Sequence, residues 1–196
     1  MKKVIFVVAL IVCLSSDVYS QNKDTFSYHV PGIVPVLKQK DDMACWITVA
    51  TMMLSWRENG NYTVDELAAK LGDPWKLYYD TNTGLPASAQ TEFTKKIRLK
   101  EEPPANYILN AYREMLRRFG PLWIITGDEL GAHARLITGV EGDGSYEHSL
   151  FIIIDPKKGK SEKQNALDFL REFEEEAKVA NREKWKEDFR IQIYHF

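Results

Sequence analysis

The feature that most constrains the fold is a change of hydrophobic period at Gly120-Pro121. Upstream, apolar residues recur three and four apart, the spacing of a helix face. Downstream come three β-rich runs, "LWIIT" (122–126), "HARLITGV" (133–140) and "SLFIIIDP" (149–156), each bounded by Gly and Asp turn residues. One stretch cannot serve both periods, so the order predicts helices first and an antiparallel sheet after them, an α+β arrangement. "EGDGS" between the last two runs reads as a hairpin turn. A charged helix is expected over about 165–185, with Leu167, Leu170, Phe173 and Ala177 inward. The alternating "RIQIYHF" reads as a closing strand.

The helices have clear punctuation. One is expected from about Ala44 to Glu58, on the repeat of Trp46, Val49, Ala50, Met53 and Leu54, and ends at Asn59-Gly60. A second opens on the capping box Thr63-x-x-Glu66 and closes at Gly72. A third fits Asn106 to Phe119. The "HVPGIVPVL" region reads as an extended lead-in. Residues 73–104 resist a reading, because Pro74, Gly84, Pro86, Pro103 and Pro104 interrupt every pattern. Their aromatics Trp75, Tyr78, Tyr79 and Phe93 still imply packing.

The first residues read as a secretory signal peptide: Lys2 and Lys3, an apolar run from Val4 to Leu14, and a small-residue cleavage pattern before Gln21. The expected organisation is therefore a signal peptide at 1–20 and a single domain at 21–196, secreted or periplasmic. The 196 residues carry 26 basic and 28 acidic side chains; removing two Lys and one Asp leaves 24 and 27, net -3. That balance names neither nucleic acid nor, after cleavage, a membrane surface as a partner. Cleavage also removes Cys13 and leaves Cys45 alone. An odd cysteine in an oxidising compartment points to a reactive thiol or an intermolecular disulfide, against the plainer reading of a buried inert residue.

Cys45 falls at the first turn of a predicted helix, where partial positive charge and free N–H groups favour a thiolate. A thiolate enzyme needs a base. His29, His148 and His195 read as surface residues, whereas His133 opens a strand able to hold an imidazole rigidly. Asp155 ends the apolar strand that pairs with it and could orient the ring, or could merely form the Asp-Pro turn. The Cys45 N–H and the Gln39 side-chain amide are candidate donors to an oxyanion. No spacing suggests a metal or a phosphate-binding loop, so no cofactor is expected.

These residues carry a resemblance. "QKDDMACW", the helix "CWITVATMM", "GPLWI…GAHARLITGVEGDG" and "IIIDP", in that order, resemble the papain-like cysteine peptidases, and most closely their compact bacterial branch of secreted, avirulence-type effectors. The match covers roughly 33–157. It implies a papain-like fold, helical part against antiparallel sheet with a cleft between. It implies Cys45 as nucleophile, His133 as base and acid, Asp155 as orienter, Gln39 as oxyanion donor, and a protein or peptide substrate. Met43-Ala44 before the cysteine and Ile47-Thr48 after Trp46 depart from the usual pattern, and no pro-segment is recognisable. Another acyl-transfer chemistry (deamidase, transglutaminase-like or cell-wall amidase) and a catalytically silent binding protein stay open as alternatives.

Overall fold

The computed structural model describes residues 26–129, 131–183 and 191–196. The signal peptide read at 1–20 lies outside the described residues. Within them, six α-helices and seven strands run in the order β1 (Tyr28–His29), α1 (Cys45–Arg57), α2 (Val64–Leu71), α3 (Trp75–Asp80), α4 (Gln90–Lys96), β2 (Lys100–Glu101), α5 (Leu109–Phe119), β3 (Leu122–Asp128), β4 (Gly131–Glu141), β5 (Leu150–Asp155), β6 (Lys160–Asn165), α6 (Ala166–Glu183) and β7 (Ile193–His195). The strands form one antiparallel sheet in the order β2-β7-β3-β4-β5-β6. β1 continues the row beyond the start of β3, pairing Tyr28 with Val140.

The β-rich runs carry apolar residues at successive positions because both faces of the sheet are covered. On β3, Trp123 and Ile125 join a core with α1 to α4, while Leu122 and Ile124 join a second core with α5 and α6. The third helix therefore lies with α6 on the far face. Burying both faces of a strand removes the polar half of the alternation.

α1 is buried on every side along 46–53, instead of along one stripe. Two threonines are tolerated inside it because Thr48 and Thr51 donate to the carbonyls of Ala44 and Ile47, at 2.8 and 2.7 Å. The capping box of α2 forms with both reciprocal bonds. Gly120, at φ +85°, both ends α5 and lets Trp56 close on the turn: a Cβ there would stand 2.0 Å from the indole.

Several expectations shift. α5 begins at Leu109, not Asn106. The β4–β5 connection spans 142–149, a longer loop than a tight turn, in which Asp143 accepts from Ser145 N at 2.8 Å. "KSEKQN" is a strand although it has no apolar residue; as an exposed edge it needs none, and its charges blunt the free edge. The inward face of α6 is Ala166, Phe169 and Phe173, with Leu167 and Ala177 only half-buried. The unread stretch holds α3, a 3₁₀ turn at Ala87–Ala89, α4 and β2.

Candidate active site

Cys45 is the first residue of α1, half-buried and free. Ala44 precedes it and offers no side-chain cap, so the first-turn N–H groups stay open. The loop before the helix is tied on three sides. Gln39 N donates to Pro156 O (2.9 Å), which fixes the loop to the turn after β5. Met43 N donates to Asn82 Oδ1 (2.9 Å). Ala44 N donates to Asp41 O (3.1 Å).

His133 lies near the start of β4 and Asp155 ends β5. The register pairs Leu136 with Ile154. One step further sets Asp155 beside Arg135, two residues from His133, within diagonal reach across an antiparallel pair. Arg135 is engaged elsewhere, with Glu172 at 2.6 Å and Gln164 at 3.0 Å. His133 Nε2 thus meets Asp155 Oδ1 at 2.9 Å, both side chains buried. The same oxygen accepts from Lys157 N at 2.9 Å, so Asp155 forms the turn and holds the ring together. With Nε2 turned to Asp155, Nδ1 is left for the thiol, and the Cys45 side chain hydrogen-bonds the ring.

The electrostatics follow from that placement. Burial works to lower the His133 pKa. Hydrogen bonds and negative charge from Asp155 and Cys45 outweigh it and raise the group to about 9. Burial likewise pushes Asp155 up, but the bond and charge of His133, the Lys157 N–H and the charge of Lys158 bring it down to about 2. At neutral pH the pair is an imidazolium held between a carboxylate and a sulfur, a proton donor in contact with a nucleophilic atom.

Gln39 is 92% buried by its 8% exposure, and its Nε2 donates to both Asp41 O and Asp42 O at 2.9 Å. Beside Cys45 opens a cavity of about 150 Å³, lined among others by Met43, Leu85, Gln90, Trp123 and Ala134.

Residues 26–177 match the family described as papain-like cysteine protease AvrRpt2. The chain belongs to this family. It is a cysteine-type peptidase, a hydrolase. No curated protein matches it by sequence.

In this peptidase the other histidines fall in different places. His29 is exposed beside Glu141 (3.2 Å), and His148 is exposed near Ser145. His195 is buried at 3% exposure, contrary to its reading as a surface residue: it stacks on Phe119 at 3.8 Å and bonds Glu102 at 2.8 Å. A charged partner and a flat ring let a histidine sit inside where its terminal position suggested water. Trp46 packs edge-on against Phe93 at 4.8 Å. Among the described residues no group of three His, Cys, Asp or Glu could hold a metal ion, and no helix is long and apolar enough to cross a membrane. The sequence reading missed Asn82, Leu85 and Gln90, all in the stretch without periodic signal. The aromatics that flank them were the available hint that this stretch packs against the core.

Proposed function

We propose that this peptidase is exported and cleaves peptide bonds through a covalent acyl-enzyme on Cys45. The supporting observation is the buried His133–Asp155 pair at 2.9 Å with the Cys45 thiol on the same ring. Cys45 Sγ attacks the scissile carbonyl carbon and forms a C–S bond. The negative oxygen meets the open Cys45 N–H at the start of α1. His133 passes its proton to the leaving nitrogen as the C–N bond breaks, leaving a thioester. It then takes a proton from water, whose oxygen attacks the thioester carbon; the C–S bond breaks and the acid product leaves. Asp155 holds the ring in the tautomer this sequence needs.

Gln39 serves as the second oxyanion donor. Its amide hydrogens now rest on the Asp41 and Asp42 carbonyls. A developing oxyanion, charged where a carbonyl is neutral, draws one of them across.

The reaction is tested by incubating the purified protein and its Cys45→Ala variant with a mixture of peptides. New amino termini from the first and none from the second are expected, with an epoxide inhibitor adding its mass to Cys45. Ammonia release without chain cutting would move the assignment to a deamidase. Export is tested by sequencing the amino terminus of the protein recovered outside the cytoplasm. A start at Gln21 is expected, and a chain retaining residues 1–20 would defeat the reading.

A further inference from the structure

Most side chains that line the cavity beside Cys45 are apolar, among them Met43, Leu85, Trp123, Ile125 and Ala134. Apart from Cys45 itself, Gln90 is the exception. This residue opens α4 and is only 8% exposed. It shares its buried helix face with Phe93 and Thr94, three and four residues on, so packing fixes the direction it takes. Thr94 meets its own need by donating to Thr91 O (3.1 Å) and Glu101 (3.3 Å). The buried Gln192 likewise gives its amide to Ile125 O and Phe173 O, at 3.0 and 2.9 Å. The Gln90 carboxamide differs from both. Neither its oxygen nor its nitrogen has a hydrogen-bond partner in the protein, and neither is sealed from solvent. Its free atoms are those at the cavity.

With no partner in the protein, the amide can be satisfied only from the cavity, by water or by a group that displaces it. Leucine at this position would match the remaining walls. The carboxamide is therefore complementary to something that enters with substrate. Two N–H groups beside one carbonyl are the complement of another amide.

We infer that Gln90 hydrogen-bonds an amide-type group of the substrate inside this cavity and so helps decide which peptides are cut. The group is either a peptide unit of the substrate main chain or the carboxamide of a glutamine or asparagine side chain. The inference rests on Cys45 being the nucleophile, since the cavity is a substrate site only on that reading. Gln90 bonds the ground state and the transition state alike, without touching the proton in flight.

The purified protein is compared with Gln90→Leu, Gln90→Glu and Cys45→Ala on a peptide library, with cut sites read by mass spectrometry and kcat/KM measured on the best peptides. Leu removes donors and acceptor at similar size. Glu keeps acceptor oxygens and loses the donors, and it decides the matter if Leu fails to fold. Thermal midpoints and the rate of Cys45 alkylation report that the fold and the nucleophile are intact. A lost bond to a group left buried predicts a roughly tenfold fall in kcat/KM. If the partner is a side chain, the preference for Gln and Asn at one subsite disappears while other peptides are unaffected. If it is the main chain, every peptide loses about the same factor and the cut-site profile is unchanged. Profiles and kcat/KM within twofold of wild type, with Cys45→Ala inactive, would overturn the Gln90 assignment alone. Cleavage that survives in Cys45→Ala would overturn the Cys45 reading and this inference with it.

Discussion

Two regions meet at Cys45 and are built differently. The β4–β5 pair is an antiparallel ladder, shifted in register between Ile137 and Gly139 and covered on both faces, and its polar side chains His133, Arg135 and Asp155 are each committed to partners. The opposite wall, residues 81–90, is a chain of turns. Asn82 and Gly84 take left-handed conformations (φ +49° and +80°), and a single described side-chain bond, Asn82 to Met43 N, ties the turn to the loop before Cys45. Gly84 suits that conformation, and a Cβ there would also press on the tip of Met43, 2.9 Å from its Cε. The ladder holds angles and protons fixed, as acid–base chemistry requires. The wall holds shape and one free amide, and shape is what a sequence of turns can vary without disturbing the ladder.

Substitutions can test that division. The largest expected effect is on the chemistry side: Cys45→Ala should lower kcat by at least about 10⁴-fold with little change in unfolding free energy. Peptide cleavage and urea unfolding measure the two. Phe93→Ala asks whether the wall is rooted in the core. The ring is fully buried and contacts Trp46, Trp75 and Trp123 at 4.8, 5.3 and 6.1 Å. A loss of about 3–5 kcal/mol in urea unfolding is expected, whereas a few tenths would mean that the wall is detachable.

Asp155→Asn probes the ladder's electrostatics. Wild-type activity needs the imidazolium and should fall as pH rises through about 9. The variant's alkaline limb should lie at lower pH, with kcat/KM down about 10–10²-fold near neutrality; a limb that stays put would separate Asp155 from His133. Stability carries the same signature. The raised pKa of His133, 6.5 unfolded, contributes stability fully present below 6.5 and lost as pH rises through about 9. The lowered pKa of Asp155, 3.8 unfolded, contributes stability present above 3.8 and lost as pH falls toward about 2. The gap in thermal midpoint between wild type and His133→Ala should then be widest between pH 3.8 and 6.5. A gap independent of pH would mean that the pair contributes by packing alone. The smallest effect is Asn82→Gly, which keeps the left-handed turn and frees it from Met43. Loss of one neutral bond, about 1 kcal/mol, should raise KM several-fold and leave kcat nearly unchanged.

The regular elements were legible because their signals are local. The capping box at Thr63, the apolar runs of β3 and β5, and Gly120 after α5 each declare themselves within a few residues. Cys45, His133 and Asp155 could be named one by one from residue type and element, and the structure brings them together. The edge strand β6 was illegible because exposure removes the apolar alternation by which strands are recognised. The stretch 73–104 was illegible because short helices joined by turns never complete a period. His195 was misread because burial there depends on Glu102, ninety-three residues away.

The sequence by itself determined the order of helices and strands, the cysteine at a helix start and the residues able to serve it, since all of these follow from spacing within an element. Tertiary structure decided the rest. The β4–β5 register put a carboxylate on His133, the Gln39–Pro156 bond carried the cysteine's loop to that strand end, and α4 turned an unpartnered glutamine toward the cavity. Those are contacts between residues far apart in the chain, and burial, charge and shape acquire their values only once such residues meet.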